Sequence, residues 1–205
     1  AMSRDHRFPG HAELRKVQLL VERVPDDGAT VLIFHTMIGR AANEALARVV
    51  AYRMHERFGT PRPEEVGGGR GGGAAVVVDD YAFGVWVDGA SAARRADRTL
   101  VRSLLSPARF DEDLGAAVEA SELFRTQFRY TAIRAHALLQ NKFGRRRFIG
   151  QLQSYAAKLH EALQEHEPDH LLLEETRRTV TEDLLSAPAA RAYLEEAAEA
   201  GLRLI

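Results

Sequence analysis

The residues most able to do chemistry are basic and lie close together in the middle of the chain. Residues 121–153 contain seven lysines and arginines against a single acid, Glu122. Guanidinium groups stay charged at any working pH and match phosphate oxygens in pairs. This cluster therefore predicts a surface that binds a phosphate backbone. The candidate residues are Arg125, Arg129, Lys142, Arg145, Arg146 and Arg147.

An amphipathic helix is expected to position the first two of these arginines. Apolar and small residues recur at three- and four-residue steps, which places them on one helical face. They are Phe124, Phe128, Thr131, Ala132, Ala135, Leu138 and Leu139. The pattern predicts a helix that runs to about Asn141, a break at Gly144 and a second helix over residues 148–165. Arg125 and Arg129 are one turn apart, and the loop at Gly144 can bring its arginines back past the helix end.

An internal role for the same arginines is the rival interpretation. Over residues 165–199 the acids outnumber the bases by ten to three, the reverse of the central stretch. The arginines could therefore pair with acids of the last helices, namely Glu174, Glu175, Glu182 and Asp183. Binding to a phosphate backbone should weaken steeply with salt, and this separates the two interpretations.

Two further places could contact a nucleic acid. His35 ends a predicted strand and Arg40 begins a predicted helix, whose N-terminus is a favourable site for an anion. The alternative is that His35 caps this turn while Arg40 pairs with a carboxylate, and the sequence leaves both open. Trp86, the single tryptophan, either packs in the core or stacks on a base.

No motif for catalysis is complete. ATP hydrolysis requires a phosphate loop that ends in Gly-Lys, and that dipeptide is absent, so the glycine-rich residues 67–73 are interpreted as a linker. Asp79 and Asp80 are explained by a hairpin turn. Pro168 interrupts the spacing that a metal site at His160, His166 and His170 would need. The chain contains no cysteine, so we predict no catalytic site, no metal site and no cofactor.

Length and composition suit a domain with a sizeable core. The chain has 205 residues and a formal net charge of −1, so no bulk charge attracts it to nucleic acid or membrane. The absence of a long apolar run and of a signal pattern predicts a soluble, cytoplasmic protein without a membrane partner. Ala1 before Met2 suggests a cloning remnant, and residues 1–15 are expected to form a disordered arm or tag remnant.

The remaining pattern predicts an α+β fold. Alternating strands over residues 16–24 and 29–35 form one hairpin, and residues 74–79 and 81–88 form a second. A helix over residues 39–58 lies between them, so that residues 16–90 make an antiparallel sheet with one helix. Residues 98–205 should form a helical array packed on that sheet. We expect one core that contains Val76, Val78, Trp86, Phe124 and Phe128.

Three blocks of the sequence resemble the DEAD/H-associated domain of Lhr-type (large helicase-related) superfamily 2 helicases. The first has Glu122-Leu123-Phe124, then Gln127-Phe128-Arg129, the basic loop Phe143-Gly144-Arg145-Arg146 and Gln151-Leu152-Gln153. The second has His35, Thr36, Gly39, Arg40, Asn43, Ala45 and Leu46. The third has Leu172, Glu175, Thr176, Arg178, Glu182 and Asp183. Three positions depart from the family pattern, each losing a ring or a positive charge: Ile38, Ala41 and Gln127.

This resemblance covers about residues 17–200 and implies a function. It implies a non-catalytic, nucleic-acid-binding accessory module of an Lhr-like ATP-dependent helicase, which contributes to the path of the single strand. The partners implied are single-stranded nucleic acid and the helicase motor and winged-helix domains, in cis or in trans. The rival class is a protein-interaction adaptor or structural brace that docks on a helicase core or another partner. The sequence leaves open whether the chain is free-standing or part of a full helicase.

Overall fold

The computed structural model describes residues 19–26, 29–59, 76–88, 97–142, 145–146, 148–199 and 202–205. The expected arm over residues 1–15, the glycine-rich linker and Arg147 lie outside these described residues. So do the first residues of the first predicted strand, 16–18, and of the third, 74–75.

The sheet is built from the two predicted hairpins. Strands β1 (Leu19–Asp26) and β2 (Ala29–His35) pair antiparallel, as do β3 (Val76–Val78) and β4 (Ala82–Asp88). The hairpins join because β2 also pairs antiparallel with β4, with Phe34 opposite Phe83. These two rings stack with their centroids 4.6 Å apart. The predicted antiparallel sheet is therefore confirmed over these four strands.

A later strand extends this sheet. The chain first forms a short hairpin from β5 (Asn141–Lys142) and β6 (Arg145–Arg146), and then a strand β7 (Leu202–Leu204). Strand β7 lies parallel to β1, which gives a five-stranded sheet of order β3-β4-β2-β1-β7. The expectation that every element after Arg98 would be helical was therefore wrong. Segments of two or three residues are too short for their alternation to be recognised in a sequence.

Seven helices occur within the described part of the chain. They are α1 (Arg40–Phe58), α2 (Arg98–Leu104), α3 (Phe110–Glu119), α4 (Glu122–Arg134), α5 (Ile149–His166), α6 (Leu171–Arg178) and α7 (Ala187–Glu199). Helix α6 continues as a π-helical turn over Thr179–Leu184. The α+β class predicted from the sequence is confirmed by this arrangement.

Helix α1 is the central element of the fold. It contacts β3 and β4 on one side and α2, α3 and α7 on others. Its buried residues include Leu46, Val49, Val50 and Met54 and four alanines, Ala42, Ala45, Ala47 and Ala51. Small side chains on several faces let the sheet and the other helices approach the same helix closely. Gly59, with φ of 65°, ends the helix in the left-handed conformation that glycine accepts.

The apolar face of α4 fills the core, as its period predicts. Phe124, Phe128, Thr131 and Ala132 are buried. Val76 and Val78 pack against the same core, which confirms that part of the expectation. Trp86 does not belong to it: Phe83 and Val85 point to the core, so the alternation of β4 places Trp86 on the opposite face, where it is half-buried. The expectation of a core tryptophan was wrong.

Helix α4 is also shorter than the sequence predicts. It ends at Arg134, and His136 has φ of 57°, in the left-handed region that breaks a helix. The N–H of Leu138 then donates to the carbonyl oxygen of Ala132 at 3.0 Å, which folds Leu138 back into the core. Ala135 and Leu139, which were assigned to the buried face, are exposed for this reason.

Phe128→Ala tests the core assignment. Its side chain is 1% exposed, so the substitution should lower the free energy of unfolding by about 3–5 kcal/mol through lost burial and the cavity left behind. Phe148, which is 80% exposed, provides the matched control. Phe148→Ala should change the free energy of unfolding by less than about 0.5 kcal/mol. Urea unfolding of both variants measures the difference, and equal costs would contradict the assignment.

Candidate nucleic-acid interface

The hairpin between α4 and α5 carries three of the six predicted basic residues of the central stretch. Its backbone register places Lys142 opposite Arg145 and Asn141 opposite Arg146, so the chain reverses direction within two residues. We call residues 141–146 the basic hairpin. This pairing brings Arg145 and Arg146 back beside Lys142 and Asn141. Their return past the end of α4 stays a prediction. The side chains of Lys142, Arg145 and Arg146, and all of Arg147, lie outside what the structure describes.

Arg125 and Arg129 lie one turn apart on α4. Ser121 sets the start of this helix, since its Oγ accepts a hydrogen bond from the N–H of Phe124 at 3.2 Å. Arg125 is 62% exposed and lies 3.8 Å from Glu122 on its own helix. The guanidinium of Arg129 lies over the ring of Tyr130, 5.3 Å from its centroid. Both side chains are thus held by residues of α4 itself.

One of the acids of the last helices has a partner within its own helix. Glu175 pairs with Arg178 within α6 at 2.8 Å, and Arg177 pairs with Glu119 of α3. No ion pair between described residues joins Arg125 or Arg129 to Glu174, Glu175, Glu182 or Asp183. The rival interpretation is therefore not seen for these two arginines among the described residues, and their contact with a nucleic acid stays a prediction.

A cleft of about 900 Å³ opens between α4 and α5, and Arg125 and Arg129 line it. We call it the α4–α5 cleft. Three of its lining residues, Phe128, Ala156 and His160, are buried, and we call them the floor of the cleft. Its walls carry amides and hydroxyls from Thr126, Gln153, Ser154 and Gln164. Such a mixture of apolar floor and convergent polar groups is typical of a ligand site.

His160 is the residue of this cleft that sequence reasoning missed. It was considered only as a metal ligand, and no group of three or more metal-binding side chains occurs among the described residues. Its ring lies 5.4 Å from that of Phe124 and 5.1 Å from that of Phe128. The buried positions of α5, Leu152, Ala156 and His160, follow each other at four-residue steps. That spacing is the sequence signal that could have identified His160 as a buried residue.

Burial keeps His160 uncharged at neutral pH. Desolvation lowers the pKa of its imidazole, and the charge of Arg125 lowers it further, against smaller opposite effects of Glu119 and Glu161. Within the described residues its Nε2 has no hydrogen-bond partner. The cleft therefore has a neutral aromatic ring in its floor.

The second predicted contact, at the start of α1, has one hydrogen bond inside the chain. The N–H of Arg40 donates to Oδ1 of Asp80 at 3.3 Å, so a carboxylate already lies at the helix N-terminus. His35 Nε2 lies 3.4 Å from Oε2 of Glu22 across the hairpin. The side chain of Arg40 is exposed. A role for His35 and Arg40 in binding nucleic acid stays a prediction, as does base stacking by Trp86.

A buried polar network fixes this end of the sheet. Asn43 accepts a hydrogen bond from the hydroxyl of Thr36 and donates to the carbonyl oxygen of Asp79 at 2.9 Å. The carboxylate of Asp79 accepts from the N–H groups of Tyr81 and Ala82, both at 2.7 Å, and these bonds lower its pKa. Asp79 therefore closes the β3–β4 turn, as the sequence predicts.

None of the described helices has the length and apolar character needed to cross a membrane.

Comparison with known proteins places these features in a family context. Residues 15–205 match the family described as DEAD/H associated. The chain is 27% identical over 187 residues to the ATP-dependent helicase Lhr-Core protein 2 of Thermococcus barophilus, with 91% of this chain and 20% of that protein covered. It is also 27% identical over 179 residues to the ATP-dependent helicase Lhr-Core of Methanocaldococcus jannaschii, covering 87% of this chain and 19% of that protein. The chain thus spans about a fifth of the curated relatives it matches.

A solved structure shares the fold. The structure of Mycobacterium smegmatis helicase Lhr bound to ssDNA and AMP-PNP superposes with a TM-score of 0.70 at 22% identity. The match covers 92% of this chain and 22% of that one.

His160 makes stability depend on pH with a defined sign. Its pKa in the folded state is below the ordinary value of 6.5, so below pH 6.5 the unfolded chain binds more protons than the folded one. Stability is therefore lost as pH falls from 6.5 toward the folded-state pKa, and no further His160 contribution is lost below it. His160→Gln, which cannot titrate, should lose less thermal stability between pH 7.5 and pH 5.5 than the unmodified chain.

Melting curves at several pH values across this range provide the measurement. The other seven histidines titrate in both proteins, so the difference between the two isolates His160. Parallel loss of stability in both would contradict the buried, neutral assignment.

Proposed function

Because this chain belongs to the DEAD/H associated family, we propose that it is a non-catalytic, nucleic-acid-binding accessory module of an Lhr-like ATP-dependent helicase. In this role it contributes to the path of the single strand beside the motor and winged-helix domains, in cis or in trans. The proposal rests on the basic hairpin and on Arg125 and Arg129. The relatives are named ATP-dependent helicases, and the structural neighbour is described as bound to ssDNA.

The register of the basic hairpin carries this proposal. Lys142 and Arg145 occupy directly opposed positions, and like charges at such positions destabilise a strand pair. A bound polyanion offsets that repulsion, whereas a neutral partner does not. Contacts of this kind fix the position of a strand without reading its sequence, so backbone binding at the hairpin should show little base preference.

The basic hairpin is adjacent in sequence to the two helices that form the α4–α5 cleft. In chain order, the basic hairpin follows α4 and precedes α5. Of the two arginines on α4, Arg129 is the nearer in sequence to the hairpin. A single strand that contacts the hairpin can therefore continue along the rim of the α4–α5 cleft.

Removal of three arginines tests the binding surface. The triple change of Arg145, Arg146 and Arg147 to Ala should weaken binding to single-stranded DNA. It should also flatten the slope of log K against log salt by up to roughly 2 units. The reason is that fewer phosphate contacts release fewer counterions when the strand binds. Fluorescence anisotropy titrations at several salt concentrations measure both quantities.

The matched control removes the same charge elsewhere. Arg98, Arg102 and Arg203 are exposed on α2 and β7, and their change to Ala should leave the slope nearly unaltered. If the first triple variant keeps its affinity but melts at lower temperature, the three arginines are internal partners and the proposed surface is wrong.

The purified chain should not hydrolyse ATP by itself. Phosphoryl transfer requires a loop that cradles the phosphates and a lysine that neutralises them, and the sequence has no Gly-Lys pair. Phosphate release is measured with and without single-stranded DNA. Turnover above the blank that is stimulated by DNA and persists after a second purification would refute this prediction.

A further inference from the structure

The α4–α5 cleft differs in charge from the basic hairpin beside it. Two guanidinium groups line it, from Arg125 and Arg129, together with three carboxylates: Glu119, Glu122 and Glu161. Arg177 pairs with Glu119 from outside the cleft. With Arg177 included, three guanidinium groups face three carboxylates. His160 adds no charge at neutral pH. A charge-balanced cleft offers no net attraction to an isolated phosphate.

The chemistry of the lining fits an uncharged, flat and polar-edged group. The floor residues Phe128, Ala156 and His160 give the bottom of the cleft two aromatic rings and a methyl group, which suit the face of a ring. Amides, hydroxyls, guanidinium groups and carboxylates around it provide both donors and acceptors to the edge of that ring. A volume of about 900 Å³ lies within the usual range for small-molecule sites.

The charges are also ordered along the cleft. Arg129 of α4 and Gln153 of α5 belong to the end next to the basic hairpin, since the hairpin joins these two helices. Glu122 of α4 and Glu161 of α5 belong to the opposite end. Phosphates are therefore favoured outside the cleft at the hairpin end, and a neutral group is favoured within it.

We propose that the α4–α5 cleft binds one unstacked base of a single-stranded nucleic acid, while the neighbouring phosphates lie against the basic hairpin and Arg129. This inference rests on the proposed function and adds to it a base-binding site on a strand otherwise held by its backbone. Each bound strand then has one position at which removal of the base lowers the affinity. A polar segment of a protein partner is the competing occupant.

A filled cleft tests the inference. Ala157 lines the cleft from α5 and is exposed, so Ala157→Trp places a large ring in the cleft without entering the core. Ala162 is exposed on the same helix but is not among the cleft residues, and Ala162→Trp serves as the matched control. The probes are an oligothymidylate of about eight nucleotides, long enough for one site, and a series with one abasic position moved along it.

The expected result is specific to one position. The affinity of the unmodified chain and of Ala162→Trp should fall by about tenfold when the base is missing at that position. The free energy of stacking one base on an aromatic ring corresponds to a factor of about this size. Ala157→Trp should bind intact and abasic strands alike and keep the same salt slope. If Ala157→Trp retains the abasic effect, the base-binding cleft is wrong while backbone binding stands.

A second readout reports on the cleft directly. The imidazole signal of His160 in a ¹H–¹³C NMR spectrum, assigned from its absence in His160→Gln, should shift with the oligothymidylate and not with a fully abasic strand of equal length. Equal shifts with both strands, or none with either, would overturn the inference and leave a protein segment as the competing occupant. Failure of every strand to bind the unmodified chain would overturn the proposed function together with it.

Discussion

The packing of the first helices depends on the hydrogen bonds made by the guanidinium of Arg53. From α1 it donates to the Asp113 carboxylate at 2.7 Å and to the carbonyl oxygens of Leu104, Ser106 and Ala108 at 2.7–2.9 Å. The end of α2, the turn after it and the start of α3 are thus attached to one side chain. Both charged groups are largely buried, and removing one partner of such a pair commonly costs about 3–5 kcal/mol. This contact, together with the buried Phe110 and Leu114, holds α3 against α1.

A correctly placed α4 supports both of the proposed binding surfaces, which differ in chemistry. The basic hairpin provides positive charge suited to phosphates, whereas the cleft between α4 and α5 is charge-balanced and has an apolar floor. The same helix contributes Phe128 to the core and Arg125 and Arg129 to the cleft. Rigid packing of one face thereby fixes the positions of the charges on the other, which a binding site on a loop would not achieve.

The elements that could be predicted from the sequence are those with local signals. Alternation and turn residues identified both sheet hairpins, and the period of Phe124 and Phe128 identified the buried face of α4. The features that were missed depend on distant partners. The π-helical turn after Arg178 and the strand β7 have little local signal, and the contacts of Arg53 go to backbone carbonyls, which have no sequence signature. His160 was spaced for burial, but its aromatic neighbours come from another helix.

The parallel pairing of β7 with β1 has a consequence for how the chain folds. Val21 near the start of the described chain is paired in register with Leu204 near its end. On a ribosome, the outer edge of β1 stays without this partner until almost the whole domain has been synthesised. An open strand edge invites pairing with other chains during that interval. Closing so long a loop is also slow, so completion of the sheet should be a late step, after the local hairpin of β1 and β2.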